Sequence, residues 1–233
     1  IISLNSINWL RVMGQLSYYV WLTTKFSSPI NVAIPSGNFG NAYSAWFGRQ
    51  HGLSIKNILC STNVNDVLRR FIDSGTLKPK ETYPSIAPSM DIQIPSSLER
   101  LIFDLSGSAE HFYNTFSTTG EATLEDDALN TLKMIFSSET FNDEDIKHKR
   151  GELYKEFDYI SDPHTATSVA MALNNKDNIP TIAVATASPE KFGTVINAVI
   201  DGYSIVSLDE KEELIQLAVD KDVITTEIKN FFK

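Results

Sequence analysis

Repeatedly, the chain places a short apolar run closed by turn residues directly before a segment of helical spacing, and this order restricts the fold more than any other feature. Asn31 to Pro35 (NVAIP) reads as a buried strand stopped by Pro35, Ser36 and Gly37, and NAYSAWFGRQHG continues as a helix. The order recurs with KNILCST as a strand and NVNDVLRRFIDSG as a helix, with Asn63 as its N-cap, Asp66 at its third position and Gly75 closing it. Late in the chain NIPTIAVATA feeds SPEKFGTVINAVI, where Ser188 suits the cap and Pro189 the first helical position. Alternation of this kind needs helices layered on the faces of a sheet, so the predicted class is α/β: an open, mostly parallel sheet flanked by helices.

The segments between these units fill out one architecture. Asn5 to Phe26 has helical spacing, with Ile7, Leu10, Met13, Leu16 and Val20 on the predicted inner face and Asn5 or Ser6 as the cap. Pro79, Pro84 and Pro88 exclude a long helix between Thr76 and Gln93. MDIQI reads as a strand and SSLERLIFDLSG as a helix capped by Ser96 or Ser97. Glu121 to Ser161 reads as helical and acidic, built from ATLEDDALNTLKMIF and NDEDIKHKRGELYKEF, the second opened reciprocally by Asn142 and Asp145. The DEDIKHKRGE run reads as a solvated helix face. Asp162-Pro163 has helix-entrance chemistry for HTATSVAMALNN, and the tail holds a strand (YSIVSLD) and an acidic helix (DEKEELIQLAVDKD). No internal repeat or low-complexity linker divides residues 1–233.

Composition excludes several functions. At 233 residues with 42% in the hydrophobic set, the chain can bury a core without disulfide or metal staples. Its one cysteine, Cys60, lies in an apolar run and has no internal partner, which fits a structural thiol in a reducing, cytoplasmic setting. A formal charge of -9 opposes sequence-independent nucleic-acid binding, although it leaves room for a local anion pocket. No run has the apolar length of a membrane span, and the opening IISLNSINWL lacks signal-peptide layout. Ile1-Ile2 resembles the interior of a longer sequence, so a further upstream segment stays open. His51, His111, His148 and His164 form no metal-ligand spacing with Cys60 or the carboxylates.

Two loops carry the chemistry. In IPSGNFGN, Gly37 and Gly40 permit backbone N–H groups to converge at a helix start, Asn38 and Asn41 add amide donors, and Ser36 adds a hydroxyl. Such a loop can floor an anion or serve only as a strand-to-helix turn; it has neither the dinucleotide nor the nucleoside-triphosphate glycine pattern. In IAVATASPEKF, Thr186 falls at a strand's carboxyl end, where open α/β sheets collect ligands. His164 beside a helix start and Arg11 in an apolar-faced segment read, on their own, as a structural histidine and a rim charge; no charge relay follows from the spacing of His164 and Asp162.

Taken in series, NSINWLRVMGQLSYYV, IPSGNFGNAYSAWFGR, CSTNVNDVLRRF, PSMDIQIPSSLERLIF, SDPHTA and VATASPEKF resemble threonine synthases from about Asn5 to Phe192. The resemblance implies a carboxyl-side portion of a fold-type-II pyridoxal-phosphate enzyme, residues 1–233 being part of its large cofactor-binding domain with a helical acidic segment near 121–161. It implies a parent enzyme that converts O-phosphohomoserine and water into threonine and phosphate. Ser36, Gly37, Asn38, Phe39, Gly40 and Asn41 would hold the cofactor phosphate, and Thr186 would face its pyridine nitrogen. Asn5, Ser6, Asn8, Arg11 and His164 would lie on the substrate side. The Schiff-base lysine has no counterpart: Lys25, Lys56, Lys78, Lys80 and Lys191 all stand outside the matching motif, so no catalytic residue is assigned within this chain and the isolated chain would be inactive. A noncatalytic phosphate-binding or interaction module, or an eliminase acting on another amino acid, are the alternatives.

Overall fold

The computed structural model describes residues 8–192. Helix α1 (Trp9–Thr23) leads into strand β1 (Ile30–Pro35), α2 (Gly40–Gln50), β2 (Ile55–Thr62) and α3 (Val67–Ser74). A short strand β3 (Thr76–Leu77) and a 3-10 turn at Pro88–Met90 precede α4 (Leu98–Ser106), α5 (Glu110–Thr119) and β4 (Ala122–Thr123). Then come α6 (Asp126–Ile135), β5 (Phe136–Thr140), α7 (Asp143–Phe157), α8 (Pro163–Asn174), β6 (Thr181–Ala183) and a 3-10 turn at Pro189–Phe192.

Four strands form a parallel sheet in the order β5-β2-β1-β6. Strand side chains alternate between faces, and the sequence uses the alternation to build two cores. Ile30, Val32 and Ile34 of β1, with Ile58 and Cys60 of β2, join the larger cluster with Trp46, Phe71, Leu101 and Leu132. Ala33 and Leu59 point into a second cluster with Met90, Ile146, Ala166, Ala170 and Met171. The small residues Ala33, Ala166 and Ala170 let α8 lie close to the sheet, and Thr167 Oγ reaches Ser61 Oγ at 2.7 Å. Burial of both faces is the expected α/β layering.

Several local expectations change. Helix α1 is capped by Asn8, whose side chain accepts from the Leu10 amide, and Asn5, Ser6 and Ile7 lie outside the described residues. Its buried residues are Val12 and Tyr19, whereas Leu10 and Met13 are 65% and 41% exposed and Val20 is exposed too. The helix is apolar on nearly every side, so periodicity alone could not choose the inward stripe. Asp66, not Asn63, stands at the start of α3: the Asn63 oxygen accepts the Asn65 amide at 3.0 Å in the loop ahead of the helix, and its NH2 donates to Ser85 Oγ and to Asp91 Oδ1 at 2.7 and 2.6 Å. That same carboxylate also takes Asn65 Nδ2 and Ser85 Oγ, which folds MDIQI into turns rather than a strand. FSSET, expected as the continuation of a helix, is the edge strand β5; α5 was not expected at all.

Other expectations hold. Asn142 and Asp145 form the reciprocal cap of α7, Asp162 and Pro163 open α8, and Gly75 ends α3 with φ +75°. The run read as a solvated face departs from that reading at Arg150, which is 1% exposed and donates through Nε to the Ser161 carbonyl at 3.0 Å. Lys191 donates its amide to the Ser188 carbonyl at 3.3 Å, consistent with a helical turn starting at Ser188. The remainder of SPEKFGTVINAVI and the YSIVSLD and DEKEELIQLAVDKD segments lie outside the described residues.

Candidate functional site

Strand β1 lies between β2, which follows it in sequence, and β6, which arrives from the far end of the described chain. The carboxyl ends of β1 and β6 are therefore neighbours, and the loops leaving them share one cavity of about 570 Å³. Ser36 to Asn41 form its floor, and Thr186 and His164 stand across from them. Arg11, Gln15 and Tyr18 of α1 complete one side, and Ser89, Met90 and Ile92 another.

The floor is a row of donors. Among the described residues, no backbone N–H from Gly37 to Asn41 has a protein acceptor, and the first helix-closing bond of α2 runs from the Tyr43 amide to the Phe39 carbonyl at 2.8 Å. Phe39 takes the N-cap position in the left-handed region, φ 67°, and offers no side-chain cap. A bulky residue there costs on the order of 1–3 kcal/mol, so the surrounding structure must hold it. It does so through the Phe39 ring, 2% exposed and packed at a tilt against Phe136 with ring centroids 5.6 Å apart. The result aims consecutive amides and the positive end of α2 into the cavity, an arrangement suited to phosphate or carboxylate.

Acceptors on the floor are already occupied. Asn41 Oδ1 accepts from Tyr18 and Tyr19 hydroxyls at 2.5 and 2.8 Å. Burial pushes Tyr18 up to about 12, partly offset by its hydrogen bonds to Tyr19 and Asn41, and burial raises Tyr19 well above the ordinary phenol value. Both phenols therefore keep their protons at neutral pH and act as donors. Asn38 Oδ1 accepts from the Ser96 amide and hydroxyl at 3.3 and 3.2 Å, and the Asn38 carbonyl accepts from the Ser97 amide. With the oxygens held, the two carboxamides have only NH2 groups to offer a ligand. Ser36 differs: its amide donates to Ser61 and its hydroxyl to the Ile34 carbonyl, so it ends the strand instead of presenting a free donor.

Gly37 is needed for space, not for a left-handed backbone. A Cβ at Gly37 would lie 2.6 Å from the Ser89 carbonyl oxygen and 3.1 Å from Met90 Cα. Close approach of the 88–92 loop is what turns the phosphate-sized floor into a cavity.

On the far wall, the Thr186 amide donates to Thr165 Oγ at 3.2 Å, while its side chain is exposed to the cavity. His164 lines the space but both of its ring nitrogens are engaged. Nε2 accepts the Ser89 amide at 3.1 Å, which fixes Nδ1 as the protonated nitrogen, and Nδ1–H donates to Asp162 Oδ1 at 2.8 Å. The carboxylate–histidine pair that spacing did not reveal is therefore present. Burial alone would raise the Asp162 carboxyl, but hydrogen bonds from the His164 and Thr165 side chains hold it below its ordinary value.

The cavity thus assembles Ser36 to Asn41, Thr186, His164 and Arg11 from the sequence-derived set. It does not include Asn8, whose side chain is spent as the α1 cap, and Asn5 and Ser6 lie outside the described residues. Sequence reasoning missed Tyr18, Tyr19, Ser89 and Thr165. The PSM stretch could have been found from its prolines as a loop, but nothing in the sequence shows that the loop meets Gly37. Cys60 is fully buried and burial pushes its thiol up to about 12, as a structural thiol requires. No group of three or more metal-binding side chains occurs among the described residues, and no described helix is long and apolar enough to cross a membrane.

No protein-family model matches the chain. Threonine synthase from Pseudomonas aeruginosa is 32% identical over 229 residues, an alignment covering 91% of this chain and 49% of that protein. The crystal structure of pyridoxal-phosphate-bound threonine synthase from Brucella melitensis superposes with a TM-score of 0.80 at 29% identity, covering 84% of this chain and 44% of the other. A tomato threonine deaminase, at 13% identity and a TM-score of 0.51 over 79% of this chain and 46% of its own, shares the fold alone. The parallel sheet, its flanking helices and the cavity at the β1 and β6 ends define the class: this is the fold of the type II pyridoxal-phosphate enzymes. Within that class the chain belongs with the threonine synthases, and it spans about half the length of the curated relatives it matches.

Proposed function

We propose that the cavity is the pyridoxal-phosphate site of a threonine synthase and that this chain contributes its phosphate-gripping half. The observation that carries the reading is the row of amides from Gly37 to Asn41 without protein acceptors, opening on the same cavity as Thr186. Those amides, the α2 amino end and the NH2 groups of Asn38 and Asn41 hold the phosphate ester. Ser36 closes the strand behind them. A cavity of about 570 Å³ is of the size that cofactor sites have.

Thr186, which lines the cavity, would face the pyridine nitrogen through its hydroxyl when the cofactor is bound. A neutral partner there leaves the ring less strongly protonated than a carboxylate would. When bound, the cofactor supplies an electron sink for carbanion chemistry. Arg11, on the α1 side, presents a planar guanidinium to the anionic part of the substrate, with Asn5 and Ser6 in the segment just upstream; Asn8 shapes that side by capping the helix that carries Arg11. The complete reaction takes O-phosphohomoserine and water to threonine and phosphate in a reducing, cytoplasmic compartment.

No lysine of this chain lies in a cofactor-lysine motif, so the chain by itself binds the cofactor phosphate without turning substrate over. Adding pyridoxal phosphate to labelled chain should shift the amide resonances of Gly37 to Asn41, while threonine appears only when a lysine-bearing upstream half is supplied. Turnover by the chain alone would defeat the division of labour; silent amides at 37–41 would defeat the site.

A further inference from the structure

One buried carboxylate reaches both walls of the cavity without touching it. Asp162 is 1% exposed and sits at the α8 N-cap, where Oδ1 accepts the His164 amide at 2.9 Å and the His164 Nδ1–H at 2.8 Å, and Oδ2 accepts the Thr165 hydroxyl. Each of those two side chains then holds the backbone of a different wall. His164 Nε2 accepts the Ser89 amide at 3.1 Å, and Ser89 carries the carbonyl that packs against Gly37. Thr165 Oγ accepts the Thr186 amide at 3.2 Å. Ser89 and Thr186 belong to segments 97 residues apart in sequence, and no other single side chain among the described residues is tied through one intermediary to both.

We propose that Asp162, acting through His164 and Thr165, is the positioning residue of this site, setting the spacing between the Ser89 wall and the Thr186 wall. The orientation of each relay group follows from proton bookkeeping. A carboxylate can only accept, so it fixes His164 as the Nδ1–H tautomer and leaves Nε2 as an acceptor for Ser89. By the same logic it takes the Thr165 proton and turns the oxygen's lone pairs toward Thr186. His164 is then a strut of the wall and not a substrate contact. Asparagine at position 162 can keep its oxygen on the helix amides and the imidazole N–H while its NH2 donates to the Thr165 oxygen, which has two accepting lone pairs, whereas serine can cap the helix but has only one short oxygen and cannot hold both relay groups. Arg150, buried and hydrogen-bonded to the Ser161 carbonyl, is lowered by burial and partly sustained in its charged form by the Asp162 carboxylate.

The role in ligand binding rests on the functional reading above, whereas the coupling of the two walls does not. Both are tested with the whole chain by amide and imidazole nitrogen NMR, with inorganic phosphate and pyridoxal phosphate as probes. In the ligand-free chain Asp162→Ser should move the Ser89 and Thr186 amides together and loosen the His164 tautomer, while serine still caps α8. Thr165→Val should move Thr186 alone and weaken pyridoxal-phosphate binding about tenfold, the worth of one lost hydrogen bond; Thr165→Ser should restore both. If Asp162→Ser does not fold, the Thr165→Val and Thr165→Ser pair decides alone. The proposal is overturned if Asp162→Ser moves only one wall, or if Thr165→Val leaves the Thr186 amide as in the parent. Failure of the parent chain to bind either probe would refute the cofactor reading, and the ligand-free spectra would still judge the coupling.

Discussion

Gly37→Ala tests whether the cavity owes its shape to close backbone approach. The added Cβ would lie 2.6 Å from the Ser89 carbonyl oxygen, roughly 0.8 Å inside ordinary contact, and 3.1 Å from Met90 Cα. Both obstacles are backbone, so no rotamer change relieves them. The 88–92 loop must retreat, and its Ser89 amide, now 3.1 Å from His164 Nε2, would pass beyond hydrogen-bond range. Overpacking of about 1–3 kcal/mol and the loss of a hydrogen bond worth about 1 kcal/mol predict about 2–4 kcal/mol of destabilisation. Urea unfolding followed by circular dichroism reads it as a midpoint lowered by roughly 1 M at an ordinary slope. Gly14→Ala is the internal control, because a Cβ there meets nothing within 4 Å and Gly14 lies inside α1; it should gain about 0.5–1 kcal/mol. A Gly37→Ala chain within about 0.5 kcal/mol of its parent, with phosphate binding intact, would refute the packing argument.

Asn142→Ala should cost about 1 kcal/mol in the same unfolding assay, since the Asn142 side chain accepts from the Glu144 and Asp145 amides at 2.8 and 3.0 Å; phosphate binding, remote from α7's start, should not change. Alkali should destabilise the chain before it reaches the folded-state values of its buried acids. Burial pushes Cys60, Tyr18 and Tyr43 up to about 12, so the unfolded chain releases those protons first, from about pH 9 to 10. The folded state then holds more protons, and stability present below that range is lost as pH rises toward 12. Unfolding midpoints that stay flat between pH 8 and 11, or rapid thiol labelling of Cys60 in the native chain at pH 8, would contradict the burial.

The fold was legible wherever one residue's local chemistry decided the element. Gly75 at a helix end, Asp162-Pro163 at a helix start and the apolar runs of β1 and β2 act over a few residues, and the structure keeps all of them. Elements defined by tertiary contact were not. In β5 only Phe136 is buried, because an edge strand pairs on one side and its Ser-Ser-Glu-Thr tail needs no apolar alternation. The α1 stripe was misread because Leu10, Met13 and Val20 have helical spacing as good as that of Val12 and Tyr19. Asn63 caps only the turn ahead of α3, through the Asn65 amide, and its NH2 is tied to Asp91, a partner 28 residues away that no local rule anticipates. The site followed the same division: the glycine-asparagine loop and Thr186 were readable, whereas Tyr18, Tyr19, Ser89 and Thr165 enter only through folding.

This division explains how a chain of net charge -9 can present a row of donors suited to an anion without a basic residue on the loop. Net charge sets a diffuse potential that salt screens over about 10 Å, whereas the field at the floor comes from amides within hydrogen-bond reach. What keeps that field positive is the disposal of competing acceptors. Asn41 Oδ1 is held by two phenols and Asn38 Oδ1 by Ser96, while the Phe39 carbonyl is consumed by the first turn of α2. Remove the holders and each carboxamide can rotate its oxygen into the cavity, turning a donor into a repelling dipole at no cost in composition. On the proposed reading, anion selectivity at this loop is therefore a property of the residues behind it, which GNFGN alone does not contain.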